Sequence, residues 1–432
     1  MKVLFTTLPA PTHFYPLVPL AWALRTAGHE VRVASDPEFA PIITGCGLTA
    51  VPVGVPESEW LANDPLAADP VMREHIDTLH FEGMMWVSTY DFTGGDRAQW
   101  PQADLLSLEN IFAPAMLASI NNDPLLDDLV EFARGWQPDL VIWEAFTHAG
   151  AIAAVVVGAA HARLLYTADG NARIRGEFLR QRESLPAEYR EDPTAEWLGW
   201  TLGRFGFPFD EEVLTGQWTI DHNPPSTRLE LGLPTVGMQF VPHNGSGTLP
   251  DWLRAPARSR RVCVSFGLSG TFEDPGQILD IIFRATADLD IEVIVTGDAA
   301  ELGSIPPVPS NVRLAGFVPL NDLLPTCSLI VHHGGPGTLT TAQLHGVPQV
   351  IFAQTSLTEI SARRMQELGA ALTIQELTES VLREKIQRVL DDPSFTESAH
   401  RIRQEILAEP SPNELVSLLE RLTGEHRAQN SR

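Results

Sequence analysis

The chain has 432 residues, of which 44% are hydrophobic and 20% charged; this is a soluble globular composition, and the length predicts two domains of roughly 200 residues. With 30 Lys and Arg against 55 Asp and Glu the formal net charge is -25, which speaks against nucleic acid or an anionic membrane as the main partner, since both require a basic footprint. An anionic ligand would have to be held locally, by backbone amides or a few placed polar groups.

The opening MKVLFTTLPAP is too short and too weakly flanked for a signal peptide, and no stretch reaches the ~18 apolar residues of a membrane span. The longest apolar run, AGAIAAVVVGAA (149–160), reads as a buried helix. Cys46, Cys263 and Cys327 are few, odd in number and far apart. They are expected to be buried free thiols of a cytoplasmic protein, not metal ligands.

The repeating unit is visible in the first forty residues. VLFTT (3–7) is an apolar run of strand length, followed by a loop with three prolines. Leu17, Leu20, Ala21 and Leu24 then recur at helical spacing up to Gly28, and EVRVA (30–34) alternates as the next strand. Such a βαβ unit implies parallel strands and a right-handed crossover. It recurs at DLVIW (139–143), a helix near 149–158 and the strand RLLYT. A stretch over 55–115 is irregular and rich in Trp, Met, Phe and Asp. Between 204 and 250 the periodicity fades and turn residues concentrate, as in DHNPPST and VPHNGSGTLP. A second series follows: RVCVSFG, IEVIVTG, NVRLAGFVP, SLIVHHGG and PQVIFA. The tail from about 376 is helical. The expected fold class is α/β, with two doubly wound, Rossmann-like parallel-sheet domains.

HGGPGT (333–338) lies between the buried strand SLIVH and the helix TLTTAQLH, which stops at Gly346. Ligands of open α/β sheets bind beyond the carboxyl ends of the strands, where helix N-termini offer free amides. Glycines admit a phosphate to the backbone, Pro336 needs no amide partner, and Thr338 adds a hydroxyl. The spacing is neither GxGxxG nor a P-loop. If strand alternation persists, His332 points away from His333, into the core or behind it.

His333-Gly334-Gly335-Pro336-Gly337-Thr338 resembles the donor-diphosphate motif of nucleotide-sugar glycosyltransferases of the GT-B fold, in which two Rossmann-like domains face each other across a cleft. MKVLFTTLPAPTHFYPLVPLAWALRTAGHEVRVAS, PDLVIWEAFTHAGAIAA, VSFGLSG and NVRLAGFVPL follow in that family's order, over essentially the whole chain. YDFTGGDRAQW (90–100), WEAFTHAG (143–150) and AEPSPNELV (408–416) are similar to antibiotic-pathway enzymes that attach deoxysugars to polyketides, of the desosaminyl and anthracycline type. Several of those work with a cytochrome-P450-like auxiliary protein.

The resemblance implies an acceptor-binding domain over 1–215, an interdomain region over 216–245, a donor-binding domain over 246–405, and a carboxyl-terminal helix over 406–432 packing back on the first domain. It implies an inverting, metal-independent transferase with a thymidine-diphosphate (TDP) deoxysugar as co-substrate and no cofactor. His13, in the loop after the first strand, is the expected base, because imidazole titrates near neutrality. Glu144 and Asp91 are candidates to orient it. His333, Gly334, Gly335, Gly337 and Thr338 are expected to hold the diphosphate. Ser265, Gly267, Ser269, Phe317 and Val318 are expected near the nucleobase and ribose.

Many relatives carry Asp-Gln where this chain has Leu357-Thr358. An apolar residue accepts no hydroxyl hydrogen bond, so a deoxy or aminodeoxy sugar is expected, with Gln354 as a further sugar contact. Met85, Trp86, Tyr90, Phe92, Trp143 and Phe146 are the acceptor-pocket candidates. A polyketide, macrolide or aromatic aglycone, the P450-like auxiliary protein and a homodimer are the implied partners. Two other readings are a UDP-sugar 2-epimerase-like enzyme and a non-enzymatic binding subunit; the aromatic-rich insertion and His13 weigh against them.

Overall fold

The computed structural model of the protein describes residues 1–56, 105–106, 109–110, 116–257, 259–267, 275–297, 305–353 and 356–430. Two compact units account for them. One comprises Met1–His222, Leu229–Val241 and Pro410–Arg432, and the other Asn223–Arg228 and Pro242–Glu409.

Seven strands build the sheet of the first unit: β1 Lys2–Thr6, β2 Glu30–Ser35, β3 Ala50–Pro52, β4 Leu140–Glu144, β5 Ala160–Leu165, β6 Trp218–Asp221 and β7 Thr235–Gly237. All pairs are parallel, in the order β3-β2-β1-β4-β5-β6-β7. The second unit has β8 Arg260–Ser265, β9 Ile291–Thr296, β10 Val312–Gly316, β11 Leu329–His332, β12 Gln349–Ile351 and β13 Ala371–Thr373. Its order, β10-β9-β8-β11-β12-β13, is again wholly parallel. In each sheet the order reverses beside the first strand, between β1 and β4 and between β8 and β11, which is where a doubly wound sheet opens a ligand crevice.

Central strands are buried on both faces, which is why they read as continuous apolar runs and not as alternation. All five residues of β4 are buried, as are the four of β11. The run 149–160 forms the helix His148–Val157, which stops at Gly158 in a left-handed conformation. A β-carbon on Gly150 would stand 2.3 Å from Thr6 Oγ1 and 2.8 Å from Trp143 Cβ, so the missing side chain lets this helix lie flush on the sheet.

The stretch 216–245, expected as an interdomain region because turn residues concentrate there, contributes β6 and β7 to the edge of the first sheet. Strands of four and three residues are too short to display a period. The helix Pro412–Asn430 belongs to the first unit. Its Leu415, Val416 and Leu419 share a core with Leu17, Leu20 and Leu24, and Gln217 is hydrogen-bonded to His426 at 2.8 Å. Among the described residues no helix is long and apolar enough to cross a membrane.

Candidate active site

His13 is the third residue of a one-turn helix, Pro11–Phe14, begun by a proline in its first turn just past the end of β1. Glu144 is the last residue of β4, the strand paired with β1. Adjacent parallel strands thus end side by side, and His13 Nδ1 stands 2.8 Å from Glu144 Oε1. The Glu144 side chain is 1% exposed and that of His13 18% exposed. The buried carboxylate is otherwise satisfied by its own loop, its Oε2 accepting from the Phe146 N–H at 3.3 Å and the Thr147 hydroxyl at 3.2 Å. Because the carboxylate accepts, Nδ1 donates, and the imidazole is left with its Nε2 lone pair. Two neighbouring rings pack against the imidazole: Tyr166, with centroids 4.4 Å apart, and Phe146 at 5.8 Å.

Trp143 is excluded from the acceptor surface. It is fully buried in the core with Leu4, Val141 and Ile152, its ring N–H donating to His161 Nδ1 at 3.4 Å. Period-two alternation explains the correction, since Trp143 and Glu144 are neighbours in one strand and face opposite sides of the sheet. Phe146, past the strand end, stays beside His13. Tyr166 escaped the sequence reading because RLLYT looks like one strand; β5 ends at Leu165, leaving the ring in the loop beyond it. Asp91, Met85, Trp86, Tyr90 and Phe92 lie outside the described residues. A cavity of about 420 Å³ opens elsewhere in this unit, walled by Leu117, Ile174, Leu179, Leu214 and Leu231 and by Arg175. Arg175 is held there by Asp192 at 2.7 Å and Glu211 at 2.6 Å.

In the second unit β11 runs into HGGPGT and the helix Pro336–His345, with Gly335 at the cap position. The two histidines do face opposite ways. His332 is fully buried: its Nδ1 accepts from the Gly334 N–H at 3.1 Å, so Nε2 carries the proton and donates to Gln349 Oε1 at 2.7 Å. The amide of Gly334 is therefore turned into the protein and is not offered to a ligand, a correction to its expected place among the diphosphate donors. Gly334 serves the loop by its φ of +90°, with Thr358 packed over it: an added β-carbon would be 3.0 Å from Thr358 Cβ.

His333 lies between two other glycines. Its ring atoms would stand 2.5 Å from a β-carbon on Gly267 and 2.7 Å from one on Gly335. These glycines make room for the imidazole; the sequence predicted Gly335 beside the diphosphate and Gly267 beside the nucleoside. Burial holds His333 down at about 4 and His332 at about 3, the former partly offset by a hydrogen bond to the Ser265 backbone. Both are neutral at pH 7. The first intrahelical bond runs from Leu339 N to Gly335 O. The N–H groups of Gly337 and Thr338 precede it and have no partner in the helix. Thr340 and Thr341 turn their hydroxyls back on Pro336 and Gly337, whereas that of Thr338 bonds to no other described residue. A β-carbon on Gly337 would meet nothing within 4 Å. Of the nucleobase candidates, Ser265 is buried at the end of β8, Val318 is buried and Phe317 is exposed. Ser269, Gln354 and the Leu357 side chain lie outside the described residues.

The family model for the erythromycin biosynthesis protein CIII-like N-terminal domain matches residues 22–267, and that for the corresponding C-terminal domain residues 280–422. The chain is 47% identical to the 10-deoxymethynolide desosaminyltransferase of Streptomyces venezuelae, over 99% of this chain and 98% of the relative. It is 45% identical to the aklavinone 7-beta-L-rhodosaminyltransferase of Streptomyces galilaeus, over 100% and 98%. Among solved structures it is similar to the glycosyltransferase VinC in complex with dTDP (36% identity, TM-score 0.83, 98% of this chain and 100% of that one) and to the spinosyn forosaminyltransferase SpnP (39%, TM-score 0.78, 98% and 99%). Each of these four is a sugar transferase, which favours catalysis over the epimerase and binding-subunit readings. With both halves matched, and with a doubly wound parallel sheet in each unit, the chain belongs to the erythromycin biosynthesis protein CIII-like family of GT-B antibiotic-pathway deoxysugar glycosyltransferases.

Proposed function

We propose that the protein transfers a deoxysugar, with inversion, from a TDP-sugar to a hydroxyl of a macrolide or anthracycline-type aglycone, using His13 as the base. The observation that carries this reading is the 2.8 Å contact between His13 Nδ1 and the buried Glu144 carboxylate. It fixes the tautomer that leaves Nε2 free to take a proton. The acceptor O–H proton passes to Nε2 as the oxygen attacks the anomeric carbon. The bond from that carbon to the β-phosphate oxygen breaks on the opposite face, and its electron pair leaves with the diphosphate. Glu144 stabilises the imidazolium so formed.

The departing diphosphate is assigned to the start of the helix Pro336–His345. There the N–H groups of Gly335, Gly337 and Thr338, the Thr338 hydroxyl and the neutral His333 ring supply dipoles to growing negative charge. These groups are the ones from which the reading draws leaving-group stabilisation without a metal. The deoxysugar is inferred from Leu357 in place of a polar residue, from Thr358 lying against Gly334, and from the desosaminyl and rhodosaminyl activities of the relatives. Ser265, Gly267, Phe317 and Val318 are assigned to the nucleoside. Phe146, whose ring lies beside His13, is assigned to the aglycone. The three free thiols fit a cytoplasmic enzyme.

Purified protein incubated with TDP-desosamine and 10-deoxymethynolide or aklavinone, with and without a P450-like auxiliary protein and with and without EDTA, tests the reading. Glycosylated product that survives EDTA and is lost in His13→Ala is the expected result. Unchanged turnover in His13→Ala would refute the base assignment.

A further inference from the structure

Tyr166 has no role in the reading above, yet among the described residues it makes the closest ring contact of His13. The ring centroids are 4.4 Å apart with the planes at 50°, and Phe146 lies beside Tyr166, 5.8 Å from His13 and 5.9 Å from Tyr166. The imidazole is thus held at Nδ1 by a carboxylate and along its body by two aromatic rings. Such a setting acts on the charge of the ring as well as its position. An aromatic face carries negative quadrupole density, and a cation within about 6 Å of its centroid is attracted to it, more strongly when water is excluded. Neutral imidazole gains little from that face and imidazolium gains much.

We propose that Tyr166 is a positioning residue for the base: its ring fixes the plane of His13 and preferentially stabilises the imidazolium that exists once the acceptor proton has arrived. The inference rests on His13 being the base. Among the described residues, the titratable groups facing the imidazole are Glu144 on β4 and the Tyr166 phenol itself. Burial, reinforced by the nearby Glu144 charge, pushes that phenol well above its ordinary value, so it stays neutral and the ring face keeps its attraction for a cation.

Removing the ring and removing the hydroxyl are therefore different experiments. Tyr166→Phe retains the face, and Tyr166→Leu retains only bulk. With TDP-desosamine and 10-deoxymethynolide, Tyr166→Leu is expected to lower kcat roughly 3- to 30-fold. The KM for the donor should be unchanged, and the acidic limb of the kcat/KM profile should move to lower pH by roughly half a unit to one unit, because imidazolium has lost support. Tyr166→Phe should restore both kcat and the limb. A Tyr166→Leu enzyme with its acidic limb at the wild-type pH, or a Tyr166→Phe enzyme as impaired as Tyr166→Leu, would overturn the proposal. His13→Ala assayed in parallel separates the failures: full turnover there removes the base itself, whereas an inactive His13→Ala beside an unshifted Tyr166→Leu limb removes only the role of Tyr166. A circular dichroism melt of each variant guards against misfolding. Should Tyr166→Leu not fold, Tyr166→Met provides the same ring deletion with more conserved volume.

Discussion

His13 Nδ1 and Glu144 Oε1, 131 positions apart in the chain, stand 2.8 Å from each other at the ends of two adjacent parallel strands. The carboxylate is buried and hydrogen-bonded by its own loop, so it acts as a fixed anchor for the imidazole. Replacing Glu144 by Gln keeps the volume but removes the charge that supports imidazolium. We expect kcat to fall about 10- to 100-fold, the usual cost of removing a carboxylate behind a functional histidine. Affinity for TDP, measured by titration calorimetry, should not change. A kcat within a factor of two of wild type would show that the pair is structural only.

The glycines of the loop after β11 should separate into two kinds. Gly334 adopts φ +90° under Thr358, so Gly334→Ala should cost about 1–3 kcal/mol of stability in denaturant unfolding. Gly337 is helical with nothing within 4 Å of an added β-carbon, so Gly337→Ala should leave stability unchanged or slightly raised. If TDP approaches this helix turn, Gly337→Ala should nonetheless weaken TDP binding, by about tenfold for a contact worth ~1.4 kcal/mol. Equal TDP affinity in Gly337→Ala and wild type would place the diphosphate elsewhere.

Among the described residues, burial lowers His148, His161 and His333 to about 4 and His332 to about 3, which keeps them neutral. Their folded values lie below the ordinary 6.5, so unfolding takes up protons wherever the pH is between the two. The stability they contribute is complete above pH 6.5 and is lost as pH falls through 6 and 5 towards the folded values. Each accounts for up to about 1.4 kcal/mol per pH unit in that window. Urea titrations at pH 7, 6 and 5 should show this decline. His161→Asn should make it shallower by about that amount, and an identical slope would argue against a neutral buried His161.

Trp143 tests the division between core and acceptor surface. Trp143→Ala should destabilise the protein by about 3–5 kcal/mol, the range for emptying a fully buried aromatic site. Trp143→Phe, which mainly loses the bond to His161, should leave the acceptor KM unchanged. A several-fold rise in that KM with normal stability would return Trp143 to the acceptor site.

Much of this protein was legible from local pattern. Buried parallel strands appear as apolar runs, helices at 3.6-residue spacing, and the glycine-rich segment after β11 as a strand-to-helix turn, because each signal is contained in a few neighbouring residues. β3, β6, β7 and β13 were not legible: they are short, and unlike the equally short β11 and β12 they do not stand inside a longer apolar run.

What the amino-acid order determined by itself was the fold class, the two chemically loaded loops at residues 13 and 333, and the opposite facing of His332 and His333. Tertiary structure decided which residues meet. Pairing β1 with β4 set Glu144 against His13. The end of β5 at Leu165 freed the Tyr166 ring to lie on that imidazole, and the pleat of β4 sent Trp143 into the core. In the glycine loop, packing assigned Gly267 and Gly335 to the His333 ring, which left Gly337 as the loop glycine whose missing side chain opens onto free space. The physical reason is one of range: a propensity or a period is a property of a short segment, whereas a hydrogen bond across 131 residues exists only after the sheet has formed.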